Sequence, residues 1–150
     1  MPLSASRDRE LRDLLADALR EVNATEGSIL LANADGSRLR FIVAHSPMAE
    51  SLIGLEQQTG KGIVGRCVTS QQPVIVNDTE DEADFDPSVD QKTHVRTKSI
   101  MVVPLLDAGR LLGAVTAINS TAPGEFTPQD LQRYSEFAAQ VTARLDLDIE

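Results

Sequence analysis

The sequence predicts an α+β domain, a single antiparallel sheet with helices on both faces, and three observations predict it. Two pairs of apolar runs, the second rich in β-branched residues, flank short turns at Asp35-Gly36 and Asp107-Ala108-Gly109, the pattern of β-hairpins. Apolar residues at helical spacing stand near both ends of the chain. Between the hairpins lies a mixed segment with one further strand pattern and a glycine-rich helix start. The order is therefore helix, two strands, mixed segment, two strands, helix, which packs as one layered domain. With 150 residues, the expected division is one domain over 1–150, large enough to bury one core.

Each element has its local reason. Ser4 or Ser6 is a suitable N-cap for a helix over 5–22, where Leu11, Leu15, Ala18 and Val22 make an apolar stripe opposite charged residues. GSILLAN (27–33) and LRFIVAH (39–45) form the first hairpin, and residues 47–60 read as irregular. Residues 62–70 read as a short helix and PVIVND (73–78) as a strand. DTEDEADFDPSVD (78–90) holds seven acids in thirteen residues, with Phe85 as its bulky apolar anchor. It lacks the alternating aspartates and central glycine of a calcium loop, so a solvated loop or short irregular helix is expected. KSIMVVPLL (98–106) and RLLGAVTAINS (110–120) form the second hairpin. Thr127 and Pro128 then start a last helix, over about 128–147, as N-cap and first helical residue.

Composition narrows the function classes. Fourteen basic against 23 acidic residues give a net charge of −9, a surface that repels nucleic-acid phosphates and anionic lipid heads. Neither nucleic acid nor membrane is an expected partner. No apolar run is long enough to span a bilayer, and MPLSASRDRELRD has no secretory signal core, so a cytoplasmic protein is expected. The single cysteine, Cys67, excludes an intramolecular disulfide and a multi-cysteine metal site.

The stretch GKGIVGRCVTS (60–70) needs its own account. A phosphate-binding P-loop requires GxxxxGK followed by Ser or Thr; here Gly60-Lys61 precedes Gly62, and Leu55 stands where the first glycine belongs. A phosphatase-like cysteine would need an arginine at the position held by Pro73. Cys67 among Ile63, Val64 and Val68 reads as a buried apolar residue, although a cross-fold pair with His45 or His94 is not fixed by the sequence. The glycines turn the chain into a helix whose first N–H groups face a cavity.

Four stretches taken in order, GSILLANADGSRLRFIVAH, TGKGIVGRCVTSQQPVIVND, TKSIMVVPLLDAGRLLGAVTAINS and FTPQDLQRYSEFAAQVTARL, resemble a GAF domain over about residues 25–145. The resemblance implies a profilin-like antiparallel sheet of about five to six strands. The terminal helices lie on one face, and a lid with short helices covers the other. It further implies ligand sensing or regulation in signal transduction and not catalysis, with a small-molecule cavity between the sheet and a roof made by 62–70 and 78–97. Output would pass through the terminal helices to an effector domain or partner protein.

The branches of the family differ in residues that can be checked. The cyclic-nucleotide signature N-K…F-x-x-x-D-E is met by Asn119, Phe126 and Asp130, but Ser120 replaces the lysine and Leu131 the glutamate. A bilin would attach through a lid cysteine, and 78–97 has none. A free methionine-sulfoxide reductase uses several cysteines and pocket acids; this chain has one thiol, without a resolving partner, and Ile100, Thr116 and Ile118 at the pocket positions. A haem-binding redox or gas sensor would take His94, ten residues before Pro104, as axial ligand.

Strand alternation places Ile100 and Val102 on one face with Ala114, Thr116 and Ile118. Val76 and Phe85 approach from the lid, and Gly62, Val64 and Cys67 from the short helix, with Lys61, Arg66 and Lys98 at the rim. The candidate ligand-binding set is thus Gly62, Val64, Cys67, Val76, Phe85, Ile100, Val102, Thr116 and Ile118. It would take a small, mostly apolar molecule oriented by Thr116 and by amides near Gly62–Val64. No catalytic residue is assigned, no metal ligand outside the haem reading, and no cofactor. A filled core without ligand is the other reading of the same residues.

On the last helix Leu131, Tyr134, Ala138, Val141 and Leu145 are spaced three, four, three and four, a heptad seam that Asp148 ends. The expectation is a homodimer through 5–22 and 128–147 that covers the surplus apolar surface. A charge at Val141 would then split the dimer and leave the sheet intact. The sensor reading, a ligand-free homodimerisation module, a haem sensor and a divergent reductase all remain open at this point.

Overall fold

Helix α1 (Ala5–Glu21) begins at Ser4, whose Oγ accepts the Arg7 N–H at 3.1 Å. In the computed structural model, residues 3–47, 49–79, 82, 85, 86, 96–121 and 124–149 are described, and of 146–149 only the backbone. The strands are β1 (Ala24–Ala32), β2 (Arg38–His45), β3 (Glu56–Gln58), β4 (Val74–Val76), β5 (Ile100–Asp107) and β6 (Arg110–Ser120). Helix α2 (Ala49–Leu52) is a single turn, α3 spans Gly62–Ser70, and α4 spans Pro128–Ile149. The six strands form one antiparallel sheet in the order β3-β2-β1-β6-β5-β4. The expected α+β class and its two hairpins are present. Residues 47–60 are not wholly irregular: they hold α2 and β3, and Glu56–Gln58 pairs with Arg38–Arg40 as the sixth strand. Three residues are too few to show a period, so the sequence hid this strand.

The sheet separates two apolar layers. Toward α1 and α4 it presents Ile29, Val43, Met101, Val103, Leu105, Val115 and Ala117. Leu11, Leu15 and Leu19 of α1 close over these, together with Tyr134, Phe137, Val141 and Leu145 of α4. Toward α3 it presents Leu30, Leu39, Phe41, Ile100, Val102 and Ala114. Two β-bulges decide these assignments. The register passes from Ile29↔Val43 to Leu30↔Phe41, so β2 carries the extra residue Ile42. Phe41 therefore faces α3 while Val43 faces α1, although strict alternation would put them on one side. The second shift, from Leu105↔Gly113 to Leu106↔Leu111, skips Leu112 on β6.

At Gly113 a Cβ would stand 1.9 Å from the Leu30 carbonyl oxygen and 2.9 Å from the Leu31 Cα. Glycine is required here because β1 and β6 approach too closely for any side chain.

Helix α4 starts with a reciprocal cap: Asp130 N donates to Thr127 Oγ1 at 3.2 Å, and Thr127 N to Asp130 Oδ2 at 2.9 Å. Glu10 bridges the two helices, since its Oε1 pairs with Arg7 and with Arg144 Nε at 3.2 Å. The stripe that motivated the dimer is consumed inside the chain. Tyr134, Phe137, Ala138, Val141 and Leu145 are all buried against this sheet and α1, and Leu131 is partly buried. The larger of these side chains contribute roughly 1.5–3 kcal/mol each where they are, so among the described residues of the stripe the apolar surface is largely used within the chain.

Candidate functional site

On the α3 side of the sheet the packing is incomplete. A cavity of about 70 Å³ lies between the sheet and the first turn of α3, bounded by Phe85 and Asp86 of the lid. Its floor is Ser28, Phe41, Ile100, Thr116 and Ile118, and its upper wall is Gln57, Lys61, Gly62, Ile63 and Val64, with Thr97 at the side.

The turn into α3 explains that wall. Gly62 has φ +72°, a conformation that other residues resist, and it begins the helix there. Gly65 N donates to Lys61 O at 2.9 Å as the first intrahelical bond, and the Lys61 side chain does not cap the helix. The N–H groups of Gly62, Ile63 and Val64 thus precede the hydrogen-bonded ladder. Gly65 rests on the preceding turn: a Cβ there would stand 2.4 Å from the Gly60 carbonyl carbon.

The polar content is small and placed in two zones. Within the floor, Ser28 Oγ and Thr116 Oγ1 are 2.7 Å apart, both residues buried, and either hydroxyl can donate to the other. One hydroxyl proton of the pair stays available to a bound group. Across the mouth Lys61 Nζ lies 3.6 Å from Asp86 Oδ2, and Arg66 donates to Glu82 Oε1 at 2.9 Å. These two ion pairs hold the described part of the lid against α3.

The lid is rooted firmly at both ends. Thr79 Oγ1 donates to Thr97 O at 2.6 Å, and Thr79 N to Lys98 O at 3.1 Å. Asn119, at φ +62°, accepts from Lys98 N at 2.7 Å and donates to Arg96 O at 2.9 Å. Asn77 makes a two-way bond with the Phe126 backbone, donating to its O at 3.1 Å and accepting from its N at 2.8 Å. The three residues that match the cyclic-nucleotide signature are therefore all engaged structurally. Asn119 ties the lid root, Phe126 is core, and Asp130 caps α4.

Thr116 also touches the opposite layer. Tyr134 Oη donates to Thr116 O at 2.5 Å, next to Gly27, where a Cβ would stand 2.6 Å from that oxygen. The missing side chain leaves room for Leu19 of α1, whose Cδ2 would stand 2.7 Å from such a Cβ. Burial raises the Tyr134 pKa well above its usual value, so the hydroxyl keeps its proton and this bond.

Of the sequence-derived set, Gly62, Val64, Phe85, Ile100, Thr116 and Ile118 line the cavity. Cys67, Val76 and Val102 do not: they lie farther along, where α3 sits directly on the sheet and the apolar cluster is closed. Of the rim cations Lys61 lines the cavity, Arg66 is paired with Glu82, and Lys98 contributes backbone hydrogen bonds to the lid root. Ser28, Phe41, Ile63, Gln57, Asp86 and Thr97 line it without having been singled out. Ser28 was findable, two residues from Leu30 on the same face of β1. Phe41 was hidden by the bulge and Gln57 by the shortness of β3. His94 lies outside the described residues. Among the described residues no group of three or more His, Cys, Asp or Glu stands ready to hold a metal ion, and no helix is long and apolar enough to cross a membrane.

Burial pushes the Cys67 pKa up to about 12 from 9.0. The neutral thiol is favoured in the fold, so this contribution to stability is present below pH 9 and is lost as pH rises through about 9 toward 12. Folded protein at pH 8 should react with iodoacetamide at least a hundredfold slower than urea-unfolded protein, by mass spectrometry of the adduct. Equal rates would mean that Cys67 is accessible.

The GAF domain family model matches residues 6–145. A cone cGMP-specific 3',5'-cyclic phosphodiesterase subunit alpha' of Mus musculus is 25% identical over 115 residues, 74% of this chain; the chain spans 13% of that protein's length. The solved GAF domain of a phosphoenolpyruvate-protein phosphotransferase from Coxiella burnetii superposes with a TM-score of 0.81 at 13% identity, covering 95% of this chain and 84% of that one. A free methionine-R-sulfoxide reductase from Neisseria meningitidis superposes with a TM-score of 0.76 at 20% identity, covering 93% and 78%. At these identities the structural likeness shows the fold. With a family match over nearly the whole chain and a sheet of this topology, the chain belongs to the GAF domain family.

Proposed function

We propose that this GAF domain is a ligand-sensing, regulatory module of signal transduction that takes a small, mostly apolar molecule between sheet and lid. The observation that carries the reading is the cavity itself: apolar walls around one buried hydroxyl pair, with Phe85 and Asp86 at its mouth and two ion pairs that join α3 to Glu82 and Asp86. Size limits the occupant. The cavity's 70 Å³ is under half of the ~150 Å³ that admits a benzene ring, and ligand clefts usually start near about 300 Å³. A molecule of a few heavy atoms fits as the site stands. A cyclic nucleotide, the substrate named for the mouse relative, would need Phe85 and Asp86 displaced.

Two links favour relay to the terminal helices. Thr116 offers its hydroxyl to the cavity and its carbonyl to Tyr134 of α4, and Asn77 joins the lid root to the residue before the α4 cap. A ligand that moves Thr116 or the lid root changes the set of α4, to the extent that it binds the two arrangements differently. In this reading the domain is regulatory and works in the cytoplasm. The reductase reading gains nothing from Cys67, which is buried and protonated. Homodimerisation through α1 and α4 would have to use their outer, polar faces.

Native mass spectrometry of the purified protein, with an absorption spectrum of the same sample, tests this reading. Added mass, present on purification or gained from a metabolite extract, is expected. No added mass from either source would sink the sensor reading and leave a ligand-free module. A Soret band would instead bring His94 forward as a haem ligand.

A further inference from the structure

The start of β1 carries a buried carboxylate that the cavity account leaves unused. Glu26 is 8% exposed and pairs in register with Ile118, and two residues on stands Ser28. Ile118 and Ser28 both line the cavity; Glu26 is not part of its lining, but it stands beside both of them on the same face of the sheet, one position beyond the Ile118 end. Among the described residues its partner is Thr25, whose Oγ1 donates to Oε2 at 2.7 Å, and no cation lies within ion-pair distance. A carboxylate this buried normally has a cationic partner, because losing water costs more than one hydroxyl returns. The same end of the sheet holds two more buried oxygens without a hydrogen-bond partner among the described residues. These are Ser120 Oγ, on the residue paired with Ala24, and Ser46 Oγ, just past the His45 that pairs with Gly27.

We infer that Glu26 is the anchor for the ammonium group of the cavity's ligand, which makes that ligand a small aliphatic amine. This rests on the cavity being a ligand site. The chemistry is complementary: an ammonium carries three donors and no acceptor, and this end of the sheet offers a carboxylate and hydroxyl oxygens that can accept. The amine's apolar part lies against Ile118, Ile100 and Phe41, with Ser28 and Thr116 beneath. An uncharged alcohol of the same shape fills the apolar part and forgoes the charged contact. Discrimination between the two therefore reads a carboxylate, and removing the charge of Glu26 separates its share from that of Asp86 at the mouth.

The test is an NMR titration of the full chain at pH 7 with isobutylamine and, separately, with isobutanol, following the amides of Ser28, Val64, Thr116 and Ile118. Wild type is expected to bind the amine at least tenfold tighter than the alcohol. Glu26→Gln, which keeps shape and removes charge, should bring the two affinities together while its melting temperature stays at or above the wild-type value. If the alcohol binds and the amine binds no tighter, the Glu26 inference is overturned and the cavity reading stands. If neither moves the cavity amides, the cavity reading falls and takes the inference with it. If the amine's advantage survives in Glu26→Gln, another group supplies it and the inference is overturned. Should Glu26→Gln not fold, Asp86→Asn takes its place: a tenfold amine preference that survives there supports the inference, and a preference that is lost with Asp86 overturns it.

Discussion

Val141→Asp should unfold the domain, not release an intact monomer. Val141 has no exposed surface in the single chain and packs with Leu15, Leu19 and the helix-facing residues of the sheet. The aspartate loses the burial of the isopropyl group and places a carboxylate among apolar side chains. Together these cost about 4 kcal/mol or more, a large part of the 5–15 kcal/mol that holds an ordinary domain. A fall in Tm of about 10 °C or more is expected by circular dichroism for a chain of this size. Exposed helix residues on the same turn, such as Gln140→Asp, should shift Tm by no more than about 2 °C. A Val141→Asp protein that melts near the wild type but has half its native mass would restore the dimer seam and refute this account.

Gly113→Ala is the second large effect, and it comes from one methyl group. Its Cβ would lie 1.9 Å from the Leu30 carbonyl oxygen, with the Leu30 carbon and Leu31 Cα both at 2.9 Å. All three are backbone, so no rotamer change relieves the contact. The strands β1 and β6 must part in the centre of the sheet, where Leu31 pairs with Gly113 and the adjoining bulge already strains the register with β5. A loss of about 3 kcal/mol or more is expected in urea unfolding. Gly60→Ala is the control: no atom beyond its chain neighbours lies within 4 Å of the added methyl, and the unfolding free energy should change by less than about 0.5 kcal/mol. Equal effects at the two glycines would mean that the β1–β6 approach is looser than the 1.9 Å contact requires.

Much of this architecture was legible because its signals are local and periodic. β6 has the bounds its sequence announces, α3 starts where the glycines place it, and Thr127 caps α4. The illegible parts share a cause, which is that they depend on pairing between distant segments. A bulge at Ile42 reverses the face of Phe41, and nothing within LRFIVAH marks it. The heptad spacing on α4 is real but ambiguous, since a sheet with a helix beside it uses the same stripe as a partner subunit would. The cavity floor at Ile100, Thr116 and Ile118 followed from alternation. Its limits did not, because where α3 stops touching the sheet is a matter of angle, and Cys67 and Val102 fall beyond that line.

The hydrogen bonds that fasten Thr79 to Thr97 and Lys98 have an evolutionary consequence. Because they fix the distance between Thr79 and Thr97, the number of residues between them is decoupled from the sheet. Doubling the length of a closed loop costs only about 0.6 kcal/mol. Descendants of this chain can therefore lengthen, shorten or rewrite residues 80–95, and so exchange one chemical preference for another, while the strands below keep their register.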